Sequence, residues 1–222
     1  MSKIQTSIVA LVAVAVLAMP SVSQAIDGIL DQQNLTANSP AEFGNERNPH
    51  YQSFVPDLPQ VTDVVLAIEL MQSNPTTVTA SIFKAASNTG STFADHAPTG
   101  ASLASATITP TACAGGIGCG ELTSVWTFAT PAAVTPGLRY VFEFSYGPYG
   151  SNNDRWRPAL NANSTDAYPN GMNFFLNANT SEFIDNGMTN RDLMFQVFGL
   201  PEPGTLSLLS LGGLMLMRRR RG

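Results

Sequence analysis

The stretch Arg139-Tyr140-Val141-Phe142-Glu143-Phe144-Ser145-Tyr146 decides the fold. Tyr140, Phe142, Phe144 and Tyr146 alternate with Val141, Glu143 and Ser145, which is the two-residue period of a β-strand with one face turned to a core. Four aromatic side chains on one face have to be buried together, so this strand implies an aromatic interior opposite it. Working outward, residues 122–128 place Trp126 and Phe128 on one face, and residues 131–137 carry the Pro and Gly of a loop. Residues 77–83 alternate Val78, Ala80 and Ile82 against Thr77, Thr79 and Ser81, as a half-buried strand does. Residues 61–71 are the longest strand candidate, with Val64, Leu66, Ile68 and Leu70 on one face and Glu69 on the other. Asn74-Pro75 turns the chain between these last two, which predicts that they form a hairpin.

The remaining segments fit the same pattern. Residues 51–55 form a short aromatic strand closed by Pro56 and Pro59, and residues 103–109 are small and Thr-rich after a polar loop over 85–100. Residues 147–171 carry Gly, Pro, Asn and Asp and read as a long loop, followed by strands over 173–176 and 192–199. Between the termini no segment of ten or more residues has convincing helical periodicity. Strands at this spacing with long loops predict an all-β fold, an antiparallel β-sandwich of jelly-roll type.

Both ends of the chain read as addresses. Lys3 supplies a positive start, residues 8–19 an apolar segment and Ser23-Gln24-Ala25 a small-x-small cleavage site, so residues 1–25 are expected to be a signal peptide. An extended lead-in over 26–50, with an edge strand near 33–36, precedes the sandwich domain over 51–200. At the other end come Pro201, Glu202, Pro203 and Gly204, an apolar run over 205–217, then Arg218, Arg219, Arg220 and Arg221. Thirteen helical residues rise roughly 20 Å, short of the roughly 30 Å hydrocarbon core. A short transmembrane-like helix of this kind suits a transient anchor in the inner membrane, with the arginines on the cytoplasmic side.

This order of Pro-Glu-Pro, short apolar segment and terminal arginines resembles the PEP-CTERM sorting signal of Gram-negative bacteria that make extracellular polysaccharide. The resemblance implies recognition and cleavage of the tail by exosortase, a membrane protease-transpeptidase, and delivery to the cell surface or the extracellular space. It covers residues 201–222. Residues 52–199 further resemble a jelly-roll module often found ahead of such tails. Gln52-Ser53-Phe54 matches its first strand, Pro136-Gly137-Leu138-Arg139-Tyr140 opens a late one, and Asp192-Leu193-Met194-Phe195 begins the last.

Charge narrows the partners. The whole chain has a net charge of −5. Removal of both signals leaves 6 of the 11 basic and 15 of the 16 acidic residues, for a net charge near −9. So acidic a body lacks the basic surface that nucleic acid requires. Only Cys113 and Cys119 are present, and outside the cytoplasm such a pair is expected to form a disulfide that pins its glycine-rich loop.

No Gly-x-Ser-x-Gly or His-Glu-x-x-His pattern is present, and the two histidines stand apart, so catalytic residues are not assigned. A carboxylate pair for glycoside cleavage stays open, because a sequence contains no separations between side chains. The loop residues Tyr149, Asn152, Asp154, Arg155, Trp156 and Tyr168 combine aromatic plates with hydroxyl-binding groups, as carbohydrate sites do. Equally, Trp156 can fold inward as a loop anchor. No metal site is assigned. Calcium is the usual structural ion of such sandwiches, but there is no Asp-x-Asp-x-Asp-Gly loop to supply ligands, so a structural calcium is the one cofactor left open. Asn34-Leu35-Thr36, Asn163-Ser164-Thr165 and Asn179-Thr180-Ser181 match the glycosylation pattern and read as polar loops in a bacterial chain. Three functions remain: an exported structural or adhesive protein, a carbohydrate-binding module for exopolysaccharide, and a secreted hydrolase.

Overall fold

Two antiparallel sheets bury their apolar faces against each other. The computed structural model describes residues 28–35, 39–40, 47–70, 77–110, 122, 124–146, 156–160, 168–177, 180–184 and 192–202. The first sheet has four strands: β1 (Ile29–Asn34), β4 (Gln60–Leu66), β8 (Ser124–Ala133) and β13 (Phe195–Leu200), in the order β1-β13-β4-β8. The second has six: β3 (Arg47–Phe54), β6 (Val78–Ala85), β7 (Pro98–Ile108), β9 (Tyr140–Tyr146), β11 (Asn173–Asn177) and β12 (Glu182–Ile184). Their order is β12-β11-β3-β9-β6-β7. A small third sheet joins β2 (Ser39–Pro40), β10 (Trp156–Leu160) and β5 (Ile68–Leu70), with β10 in the middle.

The core follows from the alternation. Tyr140, Phe142 and Phe144 of β9 meet Trp126 and Phe128 of β8, Val64 and Leu66 of β4 and Phe195 and Val197 of β13 in one buried cluster. Ring pairs set its geometry: Trp126 stands edge-on to Phe144 at 5.5 Å and Phe142 edge-on to Phe195 at 5.5 Å, the arrangement the ring quadrupoles favour. The Trp126 indole N–H donates to the Val78 carbonyl at 3.0 Å, so the largest core side chain leaves no polar atom unsatisfied.

A second layer lies on the outer face of the six-stranded sheet. Tyr51, Val141, Met172 and Phe174 are buried there with Phe83, Phe93, Leu176 and Phe183 packed around them. Phe93 comes from α1 (Phe93–His96), a single turn opened by Thr92, whose backbone N–H donates to Asp95. Val141 is therefore buried on the face opposite the aromatic one, and β9 is covered on both sides along part of its length.

The structure corrects several sequence-based expectations. Residues 61–71 and 77–83 do not make a hairpin. β4 pairs with β13 and β8, whereas β6 pairs with β7 and β9, so the two lie in opposite sheets. Alternation says that each strand has a buried face; it is silent on which sheet supplies the partner. The long strand itself breaks at Ala67, whose N–H turns to the Met194 carbonyl. The stretch over 131–137 begins as strand, since β8 continues through Pro131 to Ala133 at a sheet edge, where proline is tolerated. The long loop over 147–171 contains β10. The edge strand expected near 33–36 of the lead-in is β1, over 29–34, at the edge of the four-stranded sheet and paired with the last strand.

Candidate functional site

Of the proposed carbohydrate residues, Tyr149, Asn152, Asp154 and Arg155 lie outside the described residues. The backbone of Trp156 starts β10, opposite Leu70. Tyr168 is corrected. It is 6% exposed, stands edge-on to Phe195 at 5.2 Å and is part of the main core, so its ring offers no plate to a sugar. Its hydroxyl donates to Gln32 Oε1 at 2.9 Å and accepts from the Val55 N–H at 3.3 Å, and burial pushes its pKa up to about 12. Tyr168 is an anchor.

The polar residues that the fold does bring together form a buried belt between the first and last strands. Gln52 Nε2 donates to Asp192 Oδ1 at 2.8 Å, and Gln52 Oε1 accepts from the Leu193 N–H at 2.9 Å. Asp192 Oδ2 accepts from the Tyr168 N–H at 3.0 Å, and Asn34 Nδ2 donates to the Leu193 carbonyl at 2.8 Å. All of these side chains are buried. Asn34, within the expected edge strand, is thus an internal tie at the end of β1. The third motif element is structural as well. Gly137 adopts φ 78° and donates its N–H to the Pro56 carbonyl, while the Tyr140 hydroxyl accepts from the Thr135 N–H at 2.8 Å and closes the turn.

A serine and a histidine also meet. Ser53 Oγ lies 2.6 Å from His96 Nδ1 and accepts from the Met172 N–H at 2.9 Å. Burial first, and the charge of Arg139 second, push the His96 pKa down to about 4, while a hydrogen bond to the Gly90 carbonyl opposes the shift. The consistent assignment is a neutral ring with its proton on Nε2, directed at Gly90, and Nδ1 accepting from Ser53. Ser53 and His96 are both buried, at 0% and 3% exposure, so the pair clamps α1 to β3 and presents no nucleophile to solvent.

Hydrogen bonds from Thr92 lower the pKa of the Asp95 carboxyl, and burial raises those of two part-buried carboxyls, Asp31 and Glu143. Burial raises the pKa of Asp31, although it accepts from the Asp57 N–H at 2.8 Å and the Leu58 N–H at 3.4 Å. Gln32 Nε2 bridges Asp31 and Asp57, so this carboxylate pair fastens β1 to the loop before β4. Burial likewise raises Glu143, which hydrogen-bonds Tyr51 and Ser145. Among the described residues no group of three or more His, Cys, Asp or Glu could hold a metal ion.

Cys113 and Cys119, the pair expected to form a disulfide, lie outside the described residues, as do Pro203, Arg218, Arg219, Arg220 and Arg221. Pro201 and Glu202 follow β13 directly, with Glu202 exposed. Among the described residues no helix is long and apolar enough to cross a membrane.

What these features define is an all-β domain with a sandwich-like antiparallel body whose motif residues hold strands together. No family model matches the chain, and no curated protein matches it either.

Proposed function

We propose that the protein is an exported, non-catalytic component of the cell surface or extracellular matrix, a jelly-roll body with a structural or adhesive role, sorted by a PEP-CTERM tail that exosortase processes. The observation that supports this most is the Gln52–Asp192 bond. It joins the first and last elements of the jelly-roll resemblance across 140 positions, immediately ahead of the strand that runs into Pro201 and Glu202. Residues that mark the module thus lock its strands, as a body needing durability requires, and the described serine, histidine and paired carboxylates are spent on internal bonds. In this reading the inner membrane holds the tail only until cleavage. Fractionation tests it: cells with a working exosortase should release the body from the inner membrane, and cells without one should retain it there. Equal distribution in both strains overturns the reading.

The second reading, a carbohydrate-binding module for exopolysaccharide, is favoured by one observation. β9 ends at Tyr146 and β10 begins at Trp156, the residue that the carbohydrate reading shares with residues 149–155. Without Tyr168, the reading rests on Tyr149, Asn152, Asp154, Arg155 and Trp156. Retention on extracted exopolysaccharide that Trp156→Ala abolishes would establish it, and equal retention of the variant would remove it.

A further inference from the structure

Residues 86–97 join β6 to β7 as a flap rooted on the paired Ala85 and Pro98. The flap is bonded to itself, from the Ala86 N–H to the Ala97 carbonyl at 2.9 Å and from the Ser87 N–H to the Asp95 carbonyl at 2.8 Å, and Gly90 turns its tip at φ 104°. Its polar ties to the body run through two residues. His96 meets Ser53 of β3, while the Arg139 N–H donates to Asn88 Oδ1 at 2.9 Å and the Arg139 guanidinium to the Gly90 carbonyl at 3.1 Å. Phe93 adds one ring contact, to Phe174 at 6.4 Å. His96 is 3% exposed, whereas every other residue of the flap is exposed or only part-buried. A segment with so little buried surface opens at lower cost than the sheets do, and its one buried anchor is an ionisable ring.

Both ring nitrogens are committed: Nδ1 accepts from the Ser53 hydroxyl, and Nε2 is directed at the Gly90 carbonyl. A second proton has to sit on Nδ1. Ser53 Oγ, which already accepts from the Met172 N–H, would then have to accept from the ring as well, and a buried positive charge would face Arg139. Asp95 attracts that charge, but its Oδ2 is already held by the Thr92 N–H and hydroxyl. Tyr51, on the same face of β3 as Ser53, is turned to Glu143. Met172 and β11 contribute no ionisable group, and Glu182, the charged residue of β12, is exposed.

We propose that residues 86–97 are an acid-released flap: protonation of His96 sets two positive charges side by side at its only buried anchor, and the flap swings out on Ala85 and Pro98 while both main sheets stay intact. Its departure takes Phe93 off Phe174 and uncovers part of the aromatic layer on the outer face of the six-stranded sheet. The device stands apart from export and tail processing.

Amide exchange followed by NMR tests it on the full chain, in mild detergent so that the apolar run over 205–217 adds no self-association. The Arg139 N–H reports the flap, because its acceptor is Asn88, whereas the Phe142 and Phe144 N–H groups report the sheet. After correction for the intrinsic pH dependence of exchange, Arg139 protection should fall by about a hundredfold from pH 7 to pH 4, with Phe142 and Phe144 still unexchanged. In His96→Gln, whose side chain keeps an acceptor for Ser53 and a donor for Gly90 at every pH, Arg139 protection should stay level. A level profile in the wild type, an equal fall in both proteins, or Arg139 protection matching that of Phe142 and Phe144 at pH 4 overturns the proposal. Should His96→Gln fail to fold, the wild type decides alone. The His96 ring and the Arg139 amide should titrate together while the Trp126 indole N–H, bonded to Val78 in the core, keeps its resonance; all three changing together would mean global unfolding and contradict the flap.

Discussion

Asp192 is 1% exposed, and both its oxygens are engaged, by Gln52 and by the Tyr168 N–H. Asp192→Ala would strand that N–H inside the fold, and an unsatisfied buried group costs about 1–3 kcal/mol. A urea midpoint lowered to that extent is expected, and an unchanged midpoint would mean that the belt is ornamental. His96 gives a second test at this scale. Its pKa is near 6.5 when unfolded and about 4 when folded, so between those values the unfolded chain binds a proton that the folded one does not. Stability contributed by the neutral ring is therefore complete above pH 6.5 and lost as pH falls toward 4. Asp31 and Glu143, whose carboxyls are raised by burial, act in the opposite sense. The contribution is isolated by comparison: urea midpoints from pH 7 to 4 should fall less steeply for His96→Gln than for wild type, and parallel profiles would refute the burial argument. Neither tie was legible beforehand. Gln52 and Asp192 are 140 positions apart and Ser53 and His96 are 43 apart, and the alternation that marks a strand does not indicate which polar residues will meet.

Elements were more legible than residues. Strand β9 announced itself, because four alternating aromatics have no use on a solvated face, and Trp126 with Phe128 marked the facing sheet in the same way. Phe142 and Phe144 are fully buried, so Phe142→Ala and Phe144→Ala should each cost about 3–5 kcal/mol. Glu143, between them and on the other face, should cost much less when changed to Gln. Denaturant midpoints that fall equally for all three would contradict the observed register. Pairing was less legible than existence. β4 and β6 are near neighbours in sequence and each has one clean apolar face, which suits a hairpin and suits two strands facing each other across a core equally well. β10 and β12 are three to five residues long and interrupt polar loops, too short for alternation to mark them. Tyr168 ends such a polar loop, which suits a surface residue, yet its ring turns inward against Phe195.

The body is held by internal ties, and the tail is proposed to direct its export. β1 and β13 are neighbours, so the chain enters and leaves the body in one sheet, and Pro201 and Glu202 emerge from the last strand. Glu202 is exposed and lies beyond the strand, so Glu202→Ala should leave the body's melting temperature unchanged while reducing processing. Matching loss of stability would instead place that residue in the fold. The central claim is that the tail is removed, and intact-mass analysis of surface-exposed protein tests it most directly. The expected mass lacks the apolar run and Arg218, Arg219, Arg220 and Arg221; surface protein still carrying those four arginines would contradict tail removal.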